Sequence, residues 1–381
     1  MLRFFLSIMV LICCLGDFIV AQDTDARTIE EAFKQGYLNG HVGSYAQQAS
    51  NREPTFVDLN MSLAYQTLRY RGYKIGMEAW LNAKLFEQNV GGFSRNKDIF
   101  TITNLYGDFY NQYEKFGIRV GRYQIDEEWI THNTEGISVD YDGLNNISLN
   151  FTWAFRNAYT ENYYNSGFRK MYRVVGAMLL RGAIDIPNFP LTITPYFYFA
   201  PGVFFTAAFK ASTNLPLPHS IYFKASTDFV SYIQDKGWYG PNAGAGFLFM
   251  LDSSVYWNGL EGGMGFSATD SDGASRIDAF GQHTVFERPV GMFWGDAITV
   301  YGFLKYEMKS YFKVHAAIRN TFISGKNIFN WEIKTSGTPL KKLSGLELGI
   351  AAIGMDNKSE AVDYFGGKEY ILIRGFVQYK F

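Results

Sequence analysis

Cysteine is nearly missing from this 381-residue chain, and its two copies, Cys13 and Cys14, stand side by side near the start. Beyond them no thiolate can bind metal, attack a substrate or close a disulfide. Cys13 follows Ile12, so the small residue that precedes a lipid-modified cysteine is absent. Excess charge of one sign is also absent. The net charge is −1, which leaves no basic surplus for nucleic acid. The histidines His41, His132, His219, His283 and His315 form neither H-x-x-x-H nor H-E-x-x-H, and no Gly-x-Ser-x-Gly or phosphate loop occurs. No metal, cofactor or catalytic residue is expected on these grounds, although serines are plentiful enough that a folded Ser–His pair stays open.

Long apolar runs are missing after residue 21. The charge-free stretch 186–209 contains Pro187, Pro190, Pro195 and Pro201, which would break a helix, and it reads as two strands and a bend. The shorter run from Phe4 to Leu15 follows Arg3 and ends at Ile19-Val20-Ala21, before polar Gln22-Asp23-Thr24-Asp25. That layout predicts a signal peptide over 1–21. A retained anchor is the alternative, but the run falls short of the ~20 apolar residues of a spanning helix.

What the chain has is aromatic residues (18%), 38 glycines and a strong period of two. Ile147, Leu149, Phe151, Trp153 and Phe155 alternate with Asn146, Ser148, Asn150, Thr152, Ala154 and Arg156. Phe312, Val314, Ala316 and Ile318 alternate with Lys313, His315, Ala317 and Arg319, and the chain closes on Ile371, Ile373, Gly375, Val377, Tyr379 and Phe381. One apolar and one polar face fits a soluble sandwich as well as a membrane barrel. The number of segments and the alternation of short and long connections favour the barrel. So do aromatics at strand ends, at Tyr65, Tyr141, Phe155, Tyr306 and Tyr379.

The reading is therefore all-β: a single transmembrane antiparallel β-barrel of about 18 strands over 37–381, or 16 if one hairpin is misread. Short turns at Arg71-Gly72, Asp142-Gly143-Leu144-Asn145, Asp252-Ser253-Ser254 and Lys309-Ser310 would be periplasmic. Longer connections at 86–98, 157–170, 269–296 and 355–368 would be outer loops. Residues 22–36 form a periplasmic leader, with a short helix suggested by the capping-box spacing of Thr28 and Glu31.

By strand parity the lumen receives Lys74, Arg119, Arg156, Arg173, Arg181, Lys210 and Lys224, then Lys305, Lys313, Arg319, Lys334, Arg374 and Lys380. The inward acids are Glu78, Asp108, Asp140, Asp228, Glu261, Glu307, Glu332 and Glu347. Arg or Lys facing lipid at the midplane would cost ~2–4 kcal/mol. The acids Asp126, Glu127 and Glu128 fall in the third outer loop.

Several motifs resemble the OprD-type porins, in particular the branch found among Campylobacter and Helicobacter. They are Ile29-Glu30-Glu31-Ala32-Phe33-Lys34-Gln35-Gly36 leading to Gly40 and Tyr45; Gly117-Ile118-Arg119-Val120-Gly121-Arg122-Tyr123 followed by Glu135-Gly136-Ile137; and Leu215-Pro216-Leu217-Pro218 between two strands. The resemblance implies an 18-stranded barrel in the outer membrane of a Gram-negative bacterium, with an inward-folded third loop. The loop 124–134 lacks the family's usual proline and arginine.

The expectation is a porin for passive diffusion of small polar or charged solutes through a charge-lined pore. An outer-membrane enzyme of phospholipase or protease type, a surface adhesin, and a transporter of hydrophobic compounds are the alternatives. The constriction is expected from Asp126, Glu127, Glu128 and His132, with Arg122 near its base, against a basic wall of Arg119, Arg156, Arg173 and Arg181. Phe381 and Tyr379 are expected to form the signal read by the barrel-assembly machinery. Outer-membrane lipid and lipopolysaccharide are expected partners, and a homotrimer or a monomer stays open.

Overall fold

The computed structural model describes residues 25–50, 54–172, 175–235, 244–274, 277–281, 284–309, 311–339, 343–356 and 369–381. The expected signal peptide lies outside the described residues. The first described element is helix α1 (Ile29–Lys34), capped by the Thr28 hydroxyl, which accepts from the Glu31 N–H at 3.0 Å. The Glu31 carboxylate reaches back to the Arg27 N–H at 2.7 Å, one residue before the cap, so the expected capping box closes one position early. Ala26 and Ala32 pack on Leu68, which ties the leader to the first turn.

Eighteen long strands follow. They are β1 (Tyr37–Ala49), β2 (Phe56–Gln66), β3 (Tyr73–Glu87), β4 (Phe100–Asn111), β5 (Phe116–Asp126), β6 (Thr131–Leu144), β7 (Ile147–Ala158), β8 (Ala177–Asp185) and β9 (Leu191–Ala200). The second half is β10 (Phe204–Leu217), β11 (Ile221–Gln234), β12 (Ala245–Trp257), β13 (Leu260–Thr269), β14 (Ala297–Met308), β15 (Phe312–Ile323), β16 (Lys326–Gly337), β17 (Leu346–Asp356) and β18 (Tyr370–Lys380). Each pairs antiparallel with the next. β1 pairs back on β18 from His41↔Lys380 to Ala49↔Leu372, which closes the barrel. Gly40 and Phe381 exchange backbone hydrogen bonds at 3.0 and 3.1 Å and finish the seam.

The burial pattern is the inverse of a soluble protein. Leu63, Met264, Ile318 and Ile350 are more than half exposed, whereas Asp58, Thr152, Thr206 and Thr299 are fully buried. A two-sheet sandwich would bury the first set, so the apolar face meets lipid and the polar face meets the lumen. The strand-end aromatics share the lipid face. Tyr65 pairs with Leu38 and Met77, Tyr141 with Phe116 and Leu149, and Tyr379 with Val42 and Leu346.

Four local expectations need correction. Asp252-Ser253-Ser254 is not a turn; it lies inside β12, and the chain reverses at Asn258-Gly259, where both residues have positive φ. The expected loop 124–134 shrinks to 127–130, because β5 and β6 stay paired out to Asp126↔Thr131. β8 begins at Ala177, not near residue 171. Pro216 lies within the paired end of β10 rather than ending it.

A bulge in the β6–β7 pair changes what parity predicts. Glu135 faces Arg156 and Gly136 faces Ala154, so Phe155 is the extra residue and the alternation of β7 shifts after it.

Gly121 is the strained point of the family-like motif. Its φ is +122°, and a Cβ there would lie 2.2 Å from the Leu105 carbonyl oxygen. Gly107, on the adjacent strand β4 next to Gly121's partner Tyr106, has open space around it. Gly121→Val should therefore destabilise the folded barrel by at least about 1–3 kcal/mol, and Gly107→Ala should be close to neutral. Urea titration of the refolded barrel, read by heat-modifiable mobility, checks both; equal midpoints would refute the assignment.

Candidate functional site

The outer half of the lumen is filled on one side. Three outer connections, 127–130 and the described parts of 159–176 and 270–296, turn inward and pack on the wall. Residues Tyr123, Trp129, Ile130, Tyr196, Tyr198, Val230, Phe286 and Phe293 form part of one buried apolar cluster there. This cluster arises because the inner faces of β8 to β12 end in tyrosine, leucine and valine at the outer rim, where the loops can cover them.

The first connection is only four residues, yet it carries the strongest anchor. A hydrogen bond from Glu127 N–H to the Ile130 carbonyl at 2.9 Å closes the turn. Trp129 is fully buried, and its indole N–H donates to the Tyr196 hydroxyl at 2.9 Å. That hydroxyl donates in turn to the Asp228 carboxylate at 2.9 Å. The Trp129 ring meets Phe293 edge-on at 6.2 Å, and Gly281 lies directly against the Trp129 backbone, so the third connection rests on the first.

The expected site residues divide. Glu127 and Glu128 share Arg181 of β8, at 2.9 and 3.2 Å. Burial pushes the Glu127 carboxyl up to about 7, against the pull of the Arg181 guanidinium. Asp126 is exposed and sits on the opposite parity from buried Tyr123 and Ile125, so it takes no part. His132 has a φ of +71° and stacks on Tyr159 of the second connection at 3.9 Å. Arg119 does face the lumen, but nearer the periplasmic rim. It clamps Asp108 with Nε at 3.1 Å and Nη2 at 2.9 Å and lies over the Tyr106 and Tyr123 rings.

Arg122 and Arg156 are corrections. Arg122 pairs in register with Leu105 and Glu135, and Arg156 pairs with Glu135, all on the face that points away from the lumen. For Arg122 the strand alternation itself excludes the lumen. For Arg156 the bulge at Phe155 reverses the expected side. Arg173 lies outside the described residues, and His283 does too.

Several residues that matter were not singled out from sequence as a site. Glu287 of the third connection accepts from Arg374 of β18 and pairs with Lys334 of β16 at 3.3 Å. Its N–H donates to Glu332 at 3.1 Å, and Glu332 pairs with Lys334 at 3.1 Å. The Arg374 guanidinium also stacks on Tyr163 of the second connection at 4.3 Å. One wall arginine thus touches two different inward loops. Lys305, His315, Lys334, Ala351, Arg374 and Gln47 are successive cross-strand partners, which sets the cations Lys305, Lys334 and Arg374 in one row with His315 and Ala351 between them.

The second connection is held by a buried strut. Lys97, whose side chain is 0% exposed, lies 3.5 Å from equally buried Asp58 of β2. Its ammonium also donates to the Glu161 carbonyl at 3.4 Å and to the Asn162 carbonyl, over the ring of Tyr45 at 5.1 Å. Burial lowers Lys97 to about 8, with Asp58 resisting the shift. Asn165 adds a second staple, accepting from Thr101 at 3.1 Å and donating to the Asp98 carbonyl at 3.2 Å. Only the unusual lengths of 157–170 and 269–296 signalled that these segments matter.

Below the loops the lumen opens. One cavity of about 1170 Å³ is bordered by His132, Tyr163, Glu287, Lys305, Lys334 and Arg374. A second, of about 790 Å³, is bordered by Asp185, Lys210, Lys224 and Asp252. Thr284 and Val285 border both, so the tip of the third connection divides the space.

Solved structures share this architecture. OccAB2 of Acinetobacter baumannii matches with a TM-score of 0.74 at 11% identity, covering 92% of this chain and 99% of that one. OccK3 of Pseudomonas aeruginosa matches at 0.71 and 11% identity, covering 93% and 97%. OpdK of Pseudomonas aeruginosa, solved with vanillate, matches at 0.72 and 8% identity, covering 92% and 99%. These likenesses show the fold. No curated protein matches the chain in sequence. A family model described as "Putative outer membrane protein" matches residues 35–230, just over half of the chain. With that match and the closed lipid-facing barrel together, the chain belongs to this family of outer-membrane proteins.

Proposed function

We propose that this outer-membrane barrel is a porin that passes small polar solutes passively, and that its narrow passage prefers anions such as carboxylates. The observation that carries this reading is the basic row beside the larger cavity. Arg374 and Lys334 are partly neutralised by Glu287; Lys305 makes no ion pair among the described residues and lies over the Phe303 ring at 5.0 Å, with Glu261 as its cross-strand partner. Glu161 borders the same cavity, and burial and the nearby Glu287 carboxylate raise its carboxyl, which weakens the opposing negative charge. Fixed charge in a narrow lumen sets which ions and solutes pass. Vanillate, the ligand in the OpdK structure, is an aromatic carboxylate. The acids expected to form an eyelet are held elsewhere: Glu127 and Glu128 are buried on Arg181 and border neither cavity. An enzyme would need an accessible nucleophile beside an oriented histidine; His41 does hold the Ser62 hydroxyl at 2.8 Å and the Asn60 amide oxygen at 3.0 Å, but both His41 and Ser62 are buried against the barrel wall, away from the two cavities.

Single-channel recording in planar bilayers under a salt gradient tests the reading. A reversal potential of the anion-selective sign is expected, and Lys305→Gln should move it toward zero. Failure to form pores, or cation selectivity in the wild type, would overturn it.

The loop strut gives a second expectation. Lys97→Met leaves Asp58 buried without its cation, a change worth about 3–5 kcal/mol locally. The 159–165 segment should loosen, with larger and noisier conductance. A Lys97→Met, Asp58→Leu double variant should restore folding yield while keeping the altered conductance, because the carbonyls of Glu161 and Asn162 still lack their donor. Wild-type conductance in a folded single variant would show that the strut does not position the loop.

Phe381 and Tyr379 support a role in assembly. Both sit at the closing seam, with Tyr379 on the lipid face and Phe381 tied to Gly40. Deleting Phe381 should lower heat-modifiable folded barrel in the outer membrane more than it lowers synthesis. Normal folded levels would count against recognition of this end by the assembly machinery.

A further inference from the structure

The outer ends of β5, β6 and β7 carry charge where lipid-facing apolar residues would be expected. Leu105, Arg122, Glu135, Arg156 and Lys170 are successive cross-strand partners. Direct partners share a face of the sheet. Leu105 is 52% exposed, which identifies that face as the outward one. On the same three strands, toward the periplasmic rim, the outward partners are Val120, Ile137 and Trp153, then Ile118, Val139 and Phe151, then Phe116, Tyr141 and Leu149. The apolar band therefore stops at the charged row. A lipid-facing Arg or Lys costs least at the membrane interface, so the row marks that boundary. It belongs to the outer boundary, because the termini and the short turns lie at the other rim.

The row is organised rather than scattered. Arg122 donates from Nε to Glu135 at 2.8 Å and lies over the Phe168 ring at 4.5 Å. Arg156 reaches the same carboxylate at 4.0 Å, and its side chain stays 42% exposed. Lys170 is exposed and has no ion-pair partner among the described residues. One carboxylate thus orients two guanidiniums and leaves a net positive patch. Trp153 and Phe155, packed at 4.5 Å, form an aromatic ledge just beneath it.

We propose that this row binds the phosphate groups of an outer-leaflet glycolipid, the phosphorylated headgroup of lipopolysaccharide, with Arg156 and Lys170 as the principal contacts and Arg122 beside them. Guanidinium and ammonium donors form strong charge-assisted hydrogen bonds to phosphate oxygens. The ledge below suits acyl chains and gives a free anion nothing to contact. A second copy of the chain is a poorer occupant, because it would have to bring acids, and the acid in this row is already engaged by Arg122. The proposal rests on the outward face of the barrel and is independent of the channel's selectivity.

Native mass spectrometry of the folded barrel, titrated in detergent with bisphosphorylated lipid A and with its dephosphorylated form, tests it. The wild type should retain the bisphosphorylated lipid at least about tenfold better than the dephosphorylated one. Arg156→Gln with Lys170→Gln should remove that difference. Glu135→Gln adds net positive charge and should strengthen retention, which keeps the test open if the double variant folds poorly. Excess inorganic phosphate should not displace the lipid. Equal retention of both lipids by the wild type, displacement by free phosphate, or loss of a dimer or trimer rather than of lipid in the double variant would each overturn the proposal.

Discussion

Every backbone N–H and C=O of a chain that crosses hydrocarbon must find its partner within the protein, and here closure of β1 on β18 meets that demand. The seam decides the rest. Once the sheet has no edge, side chains on one face must suit lipid and those on the other must suit water or each other. That is why fully buried threonines and aspartates coexist with half-exposed leucines and isoleucines. It also explains the conspicuous small residues near the seam. Gly40 lies under the Phe381 ring and the Ser62 carbonyl, where any side chain would collide.

Inside the barrel the usual rules return. The second and third inward connections carry Tyr163, Phe280, Phe286 and Phe293, and they bury these residues against the upper lumen as a small soluble domain would. The loops are then cross-braced by charge. Lys97 holds the carbonyls of Glu161 and Asn162, Arg374 joins Tyr163 to Glu287, and buried Arg319 donates to the Val290 carbonyl at 3.0 Å. A buried guanidinium left without carbonyls would be costly, so these arginines fix the loops as much as the loops cover them.

The strands were legible because period-two alternation is local and the lipid imposes it on every strand. The expected count of eighteen holds, and the outward aromatics Tyr65, Tyr141 and Tyr379 follow the same rule. The turns were less so. Asp252-Ser253-Ser254 has turn composition, yet in a lumen polar residues are what a strand interior requires. The site was the least legible part. Arg156 changed sides because a one-residue bulge at Phe155 breaks parity, and a bulge leaves no mark in hydrophobic period. Glu287, Tyr163 and Lys97 lie on long loops whose direction depends on tertiary partners far away in sequence, such as Arg374 and Asp58.

Charge and packing together set where a solute can travel. The apolar cluster occupies the lumen along β5 to β12, with Arg181 and its two glutamates at its margin. The larger cavity lies against the other wall, beside Lys305, Lys334 and Arg374. A solute in that space meets Lys305, Lys334 and Arg374 together with Glu161, Glu261 and Glu287, whereas the Arg181-bound acids lie outside it. The acids are buried and share one guanidinium, so their field is largely cancelled at source. The lysine row is more open to water; Glu287 and Glu332 partly neutralise Lys334, and Glu261 stands opposite Lys305 in register. Lys305 makes no ion pair among the described residues and lies over the Phe303 ring, with Glu261 as its cross-strand partner. The asymmetry of the pore therefore follows from which wall the loops cover, and the same Trp129 and Phe293 contact that fills one side pushes the open path toward the cations.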